Sequence, residues 1–312
     1  MHSRIQPSAD SKPQIRLVIA GIVKDAERTF LREYRRFQRE FGSFFDLHWI
    51  VVESDSSDDT LGVLNQISQE NAQFIFTGLG NLRLTVPSRM ERLAQCRNRY
   101  LEMLSETGLV GPNTFLLVMD LDDINKKLNL RKLLKCIESD QYEVFTCNQL
   151  GPYYDISALR ATNWNEADCW QTYRDLVNSG HSHKNAHFLA VGSKMIRVPE
   201  HSEAIEVDSA FGGAALYKTE ILRNALYSSL DTGGQDICEH VAFHRTIRAN
   251  GGRIAVAPWL INSKYNEHTF RLHPLRKAVQ PAFSAVRVLL QKLYGDQQTE
   301  DFYQNVRRRV RL

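Results

Sequence analysis

Thr114-Phe115-Leu116-Leu117-Val118-Met119-Asp120-Leu121-Asp122-Asp123 decides the architecture of this 312-residue chain. An uncharged run of β-forming and long apolar side chains reads as a strand, and it passes directly into three carboxylates. Open α/β sheets bind ligands outside the carboxyl ends of their strands, so acids at such an end mark a working rim. Upstream the same grammar repeats. Residues 15–23 form a buried first strand closed by Lys24-Asp25, and residues 27–41 carry Phe30, Leu31, Tyr34, Phe37 and Phe41 at helical spacing. A strand over 48–52 ends in Glu53-Ser54-Asp55-Ser56-Ser57-Asp58-Asp59-Thr60, and a helix over 61–70, a strand over 72–76 and a helix over 89–105 follow. Strand, helix, strand in this rhythm predicts parallel α/β structure.

Downstream the rhythm breaks. After Val144-Phe145-Thr146, residues 151–206 are rich in Tyr, Trp, His and Asn without a clean period, the composition of an insertion that shapes a substrate pocket. Order returns with Phe211-Gly212-Gly213-Ala214, a helix from Thr219, a turn at Asp231-Thr232-Gly233-Gly234, a helix over 237–249 and a strand over 253–256 that stops at Pro258. The expected division is a disordered tail (1–13), a nucleotide-binding half (14–150) and an acceptor half (151–272) sharing one sheet, then a basic amphipathic helical extension (273–312). In that extension Phe283, Val286, Leu289, Leu290 and Leu293 lie at helical spacing, and the chain ends Arg307-Arg308-Arg309-Val310-Arg311-Leu312. Such a segment suits either an anionic membrane surface or docking on the protein's own core.

Composition excludes several classes. With 43% hydrophobic and 24% charged residues, the chain is neither collagen-like nor disordered. Lys and Arg number 39 against 36 Asp and Glu, a net charge of +3 that gives no footprint for nucleic acid. Five widely spaced cysteines, none in a C-x-x-C pair, suit free thiols in a reducing compartment. No run of about 18 apolar residues occurs, and the polar first thirteen residues lack a secretory core, so a cytosolic protein, peripheral on the membrane at most, is the expectation.

Asp120 and Asp122 are the donor set a hard divalent cation takes when substrate phosphates complete its shell, which makes Mn²⁺ or Mg²⁺ the expected cofactor; a solvated acidic turn is the other reading. Glu53 could accept hydrogen bonds from a ribose or base, while the Ser and Asp residues after it could cap the next helix. On the helix over 89–105, Arg97 and Asn98 are polar on an otherwise packable face, and an inward guanidinium would pair with a diphosphate or with Asp120. Tyr153, Tyr154, Trp164 and Trp170 could serve as sugar platforms or pack the insertion's own core. His181, His183 and His187 read as surface histidines rather than a zinc site.

The strand-tip pattern V-E-x-D-S-x-D-x-T, the helix pattern A-x-x-R-N-x-x-L and the strand ending in D-x-D-D resemble, in this order, nucleotide-sugar glycosyltransferases of GT-A fold, especially the family-2 group. Arg92-Leu93-Ala94-Gln95-Cys96-Arg97-Asn98 with Val52-Glu53-Ser54 is also similar to the fungal capsule-associated mannosyltransferases. The resemblance implies a Rossmann-like, mostly parallel mixed sheet flanked by helices. It implies that Glu53 contacts the nucleoside, that Ala20, Gly21 and Ile22 lie beside the nucleobase, and that Asp120 and Asp122 hold ribose and metal. Ser54 departs from the family's second strand-tip Asp. Gly212 and Gly213 match its glycine-rich acceptor-side loop, where glycine lets the backbone approach a sugar closely; a plain tight turn before a helix is the other reading. Asp236-Ile237-Cys238-Glu239-His240 is similar to the region that supplies the catalytic base, with Glu239 first and Asp236 second, and with His240 departing from the family's Asp. His268 matches a third metal ligand, with His240 and His244 as competitors, and Arg271, Arg276 and Lys277 could reach diphosphate. The activity implied is transfer of a hexosyl group, mannosyl among them, from a UDP- or GDP-sugar to a saccharide or lipid-linked saccharide in surface polysaccharide synthesis. An inactive sugar-binding protein and a nucleotidyltransferase are the competing readings.

Overall fold

Consecutive side chains of a strand point to opposite faces, and along the first strand both faces are covered: Leu17 and Ile19 join one core, Val18 and Ala20 the other. The computed structural model describes residues 15–264. In chain order these form β1 (Arg16–Val23), α1 (Phe30–Phe41), β2 (Asp46–Glu53), α2 (Thr60–Glu70), β3 (Phe74–Gly78), α3 (Arg89–Glu106), β4 (Thr114–Met119), α4 (Leu130–Ile137), β5 (Val144–Gln149), α5 (Cys169–Asn178), α6 (His183–Ala190), β6 (Ile205–Val207), β7 (Ala214–Lys218), α7 (Glu239–Ala249) and β8 (Ile254–Ser263). The strands make one sheet in the order β3-β2-β1-β4-β7-β5-β8-β6. β7 is antiparallel to both its neighbours and β6 is antiparallel to β8, while the remaining pairs are parallel. The mixed, mostly parallel sheet flanked by helices expected from the sequence is what forms.

Winding direction sorts the helices. The chain steps outward from β1 to β2 to β3 with α1 and α2 on one face, then returns across them to β4, which places α3 on the other face. That reversal puts a topological switch between β1 and β4, the place where open α/β sheets bind ligands. An aromatic stack of Phe30, Tyr34, Phe37, Trp49 and Phe74, with ring centroids 5.3 to 6.2 Å apart in the pairs with Phe30, Tyr34 and Phe37, fastens α1 to the β2–β3 edge. Tyr100 and Leu104 of α3 and Phe243 and Ile247 of α7 fill the opposite core.

Two expectations are corrected. The helix from Thr219 is a single 3₁₀ turn, Thr219–Leu222, because the Thr219 hydroxyl is committed to the carbonyls of Gly111 and Thr114 and Asn224 turns left-handed at φ 55°. The last strand does not stop at Pro258 but continues to Ser263. Proline is tolerated there because the β5–β8 register slips between Thr146 and Asn148, and the Asn148 amide donates to the Pro258 carbonyl at 3.0 Å. Within the aperiodic insertion stand α5 and α6, capped by Asp168 and Ser182. The expected tail (1–13), the C-terminal extension (273–312), His268, Arg271, Arg276 and Lys277 lie outside the described residues.

Candidate active site

The loop after β2 is built from backbone donors. Consecutive amides of Asp25, Ala26 and Glu27 donate to Ser56 Oγ (3.0 Å), Thr60 Oγ1 (2.8 Å) and Asp58 Oδ2 (3.1 Å), and Asp25 Oδ1 accepts in return from the Ser57 amide at 2.7 Å. This brace ties the ends of β1 and β2 together and delays the start of α1 to Phe30. Asp55, left-handed at φ 64°, accepts from the Arg83 amide at 2.8 Å. Glu53 is 2% exposed, and its Oε1 accepts from the Ser56 amide at 2.9 Å. Asp58 also accepts from the Thr60 amide, so capping of α2 is one use of the motif.

The acids after β4 behave differently. Asp120 lies one residue past the strand, its amide donating to the Gly213 carbonyl at 2.9 Å. Arg97 of α3 is 4% exposed; its Nη2 lies 3.6 Å from Asp120 Oδ1, and its Nε donates to Glu239 Oε1 at 3.1 Å. Phe211 and Tyr227 flank the guanidinium at 5.2 and 5.6 Å, which favours its charge where water is excluded. The expected pairing of Arg97 with Asp120 is therefore present, and Glu239 is joined to it. Burial pushes the Asp120 carboxyl up to about 7; Arg97 pulls it down, and Asp122, Asp155 and Glu239 push it further up. About a third of the Asp120 side chain stays open, so the group is crowded but reachable. Asp120, Asp155 and Glu239 thus share the Arg97 guanidinium, with Asp122 adding its charge at Asp120.

Two glycines complete the rim. Gly212 and Gly213 have φ of 70° and 88°, and a Cβ on either would strike the Cys147 carbonyl at 2.6 Å or the Tyr154 hydroxyl at 2.8 Å. Behind them runs a fully buried amide network. Asn262 Nδ2 donates to the Gly212 carbonyl and to Asn125 Oδ1, both at 2.8 Å. Gln149 Nε2 donates to the Gly212 carbonyl (3.0 Å) and to Asn262 Oδ1 (3.2 Å), and Asn125 Nδ2 to the Asp120 carbonyl (2.7 Å). Each partner comes from a different strand end, so the network fixes the turn against Asp120.

The structure brings together Arg97, Asp120, Asp122, Gly212, Gly213 and Glu239, and leaves the other named residues apart. Both ends of the Asn98 amide are used by the Tyr227 backbone, at 2.9 and 2.8 Å. Asp236 is exposed on a turn and pairs by backbone with Leu230. Ala20 is buried in the core, and the space beside Gly21 is filled by the Met119 carbonyl and Leu121, while Ile22 is half-buried. His244 bridges Ser209 and Tyr217 at 2.9 Å each, and burial holds it down to about 3; His240 stacks on Phe211 at 3.9 Å and burial likewise keeps it neutral. Tyr153 is buried against Trp164 and belongs to the core, whereas Trp170 is exposed. His181, His183 and His187 are exposed, His183 bonding Tyr173 at 2.8 Å.

Sequence reasoning passed over Asp155, Asn125, Gln149 and Asn262. Asp155 lies six residues past the end of β5 in a non-periodic stretch, so the strand-end signal that marks Asp120 does not mark it. Among the described residues no three His, Cys, Asp or Glu side chains converge as a metal-ligand set. Asp120 and Asp122 nevertheless fit a hard cation that takes its remaining ligands from water and phosphate, because carboxylate oxygens are its preferred donors and the Asp120 carboxyl is crowded by other carboxylates. Two concavities, of about 200 Å³ beside Gln149 and Arg197 and about 410 Å³ over Trp164 and Asn165, are lined by none of the cluster's charged residues. No helix among the described residues is long and apolar enough to cross a membrane.

No protein-family model matches the chain, and no curated protein matches it. Among solved structures it is similar to TarS residues 1–349 of S. aureus in complex with UDP-GlcNAc (14% identity, TM-score 0.46, 81% of this chain and 60% of that one). It is also similar to GalNAc-T7 with UDP, GalNAc and Mn²⁺ (13%, 0.49, 82% and 45%). A third is the mannosyltransferase PcManGT of Pyrobaculum calidifontis in complex with GDP-Man and Mn²⁺ (15%, 0.44, 88% and 65%). The chain spans about 60% of the length of the TarS 1–349 structures.

Proposed function

We propose that this chain is a divalent-cation-dependent glycosyltransferase. It moves a hexosyl group, mannosyl among the candidates, from a UDP- or GDP-sugar to a saccharide or lipid-linked saccharide in the assembly of a surface polysaccharide. One observation carries the reading: at the switch between β1 and β4, Asp120 is held up to about 7 by burial and by the neighbouring carboxylates of Asp122, Asp155 and Glu239, beside a glycine turn that only a side-chain-free backbone can make. Asp120 and Asp122 would hold Mn²⁺ or Mg²⁺, which supplies positive charge to a departing diphosphate. Arg97 keeps Asp120 oriented toward the rim and holds Glu239 beside it. Gly212 and Gly213 let a sugar approach the backbone closely.

The nucleotidyltransferase reading loses ground because the amides after β1 are already committed to Ser56, Thr60 and Asp58 and cannot cradle phosphates. A binding protein without turnover is favoured by one fact, the burial of Glu239 at 3% exposure against Arg97. Thermal shift with UDP, GDP and CDP, with and without Mn²⁺, tests the proposal. A Mn²⁺-dependent rise in melting temperature with one diphosphate, lost in Asp122→Ala, is expected; a metal-independent rise or none at all rejects it. Release of nucleoside diphosphate from the matching nucleotide sugar then separates an enzyme from a binding protein.

A further inference from the structure

We propose that Asp155, rather than Glu239, is the carboxylate that takes the proton from the attacking hydroxyl; this rests on the glycosyl-transfer reading above. Asp155 follows the carboxyl end of β5, on the rim that carries Asp120. Its Oδ2 accepts from the Gly212 amide at 3.0 Å, and its Oδ1 accepts from the Ala158 amide at 3.4 Å. The neighbouring Phe211 amide donates to the Tyr153 hydroxyl at 3.3 Å, so two successive residues of the glycine turn are fixed from the Tyr153–Asp155 segment. Asp120, Tyr154 and Cys238 all lie within reach of its charge, which places it between the end of β4 and the start of α7.

Glu239 is the weaker candidate on geometry. It is 3% exposed, its Oε1 is bonded to the buried Arg97 guanidinium, and its Oε2 accepts from Cys238 Sγ at 3.6 Å. A base must be reachable by the hydroxyl it deprotonates. Asp155 is half-buried, and its anchors are neutral amides rather than a full positive charge. Burial raises its carboxyl above the ordinary range against the pull of those two amides, Glu239 adds to the rise and the Arg97 charge offsets part of it, and the net upward shift makes it a better proton acceptor than a surface aspartate. Glu239 then serves as the counter-ion that holds Arg97 against Asp120. In the step itself the acceptor or water oxygen forms a bond to the anomeric carbon and its proton passes to an Asp155 oxygen. The bond from that carbon to the diphosphate oxygen breaks, and the departing diphosphate keeps the electron pair.

An anionic nucleophile that carries no proton distinguishes this role from a structural one. Wild-type protein, Asp155→Asn and Glu239→Gln are each given Mn²⁺ with UDP-GlcNAc or GDP-mannose, with and without sodium azide. Nucleoside diphosphate release and glycosyl azide are followed by mass spectrometry, and Kd values for UDP and GDP by calorimetry. The expected result is that Asp155→Asn binds the diphosphate within about threefold of wild type, releases it at least 100-fold more slowly in water, and recovers at least tenfold in azide with glycosyl azide as product. Hydrolysis by Asp155→Asn within threefold of wild type, a loss that azide does not restore, or azide recovery in Glu239→Gln instead would overturn the assignment while leaving the transferase reading intact. If Asp155→Asn melts well below wild type, Asp155→Glu replaces it, keeping the charge but shifting the oxygens, with the same azide recovery expected and its absence equally decisive. Wild-type protein that binds neither diphosphate brings down both readings.

Discussion

The two acidic stretches that stand out in the sequence occupy the same rim and do opposite things. Around β1 and β2, every carboxylate of Asp25, Asp55 and Asp58 accepts from a backbone amide. The Ser57 amide holds the Asp25 carboxyl below its ordinary range; at Asp55 and Asp58 burial works upward and is overcome by the Arg83 amide and the Thr60 hydroxyl respectively. Around β4, burial and neighbouring carboxylates drive Asp120 upward instead. An acid whose lone pairs are filled by its own loop is building material. An acid crowded as Asp120 is, with Asp122, Asp155 and Glu239 pushing it up against the pull of Arg97, is stored electrostatic potential, and a cation or a proton discharges it. Both stretches follow a strand in the sequence; what separates Asp120 from the loop acids is its burial among other carboxylates.

The contrast can be attacked at several points. Arg97→Met removes the one cation of the crowded cluster and strands Glu239 in the core, so a loss of about 3–5 kcal/mol in urea unfolding is expected. A loss under about 1 kcal/mol would mean the cluster is not held by that residue. Asp120→Asn should weaken Mn²⁺-dependent binding of UDP or GDP by roughly 100-fold, about 2.7 kcal/mol, in calorimetry; unchanged affinity would return Asp120 to the class of loop acids.

Protonation offers a subtler test. Because the folded protein holds the Asp120 proton up to about 7 while an unfolded aspartate releases it near 3.8, this group's contribution is full below pH 3.8 and disappears as pH rises to 7. Metal-free Asp120→Asn should therefore gain on wild type between pH 5 and pH 8, on the order of 1 kcal/mol after allowance for its open third, as read from paired thermal melts. A flat difference refutes the upward shift. The smallest effect belongs to the brace: Asp58→Ala should cost roughly 0.5–1.5 kcal/mol through the amides of Glu27 and Thr60 and leave the Kd for diphosphate within about twofold.

Elements with a period of their own were legible. β1, β2, β4, α2 and α3 fall where apolar spacing puts them, and Arg97 is legible as a charge on a packable helix face. α4 was overlooked although Leu130, Leu133, Leu134 and Ile137 follow helical spacing and Asn129 caps it at 3.1 Å, because eight residues give periodicity little room to show. The continuation of β8 through Pro258 was hidden for a different reason. A local rule against proline holds only for an unbroken ladder, and the break is made by Asn148, far away in sequence. Asp155, Asn125, Gln149 and Asn262 share this difficulty, since a buried amide is informative only once its partners on other strands are known.

The placement of β7 has a consequence in time. Its partner Met119 precedes Ala214 by roughly 95 residues, so during synthesis one whole edge of β4 waits for a strand that has not yet left the ribosome. At about 5–20 residues per second the wait lasts on the order of 5 to 20 seconds, and for that interval a bare, apolar parallel edge is open to pairing with any extended chain nearby. The nascent chain therefore passes through a window of vulnerability that the finished sheet does not show.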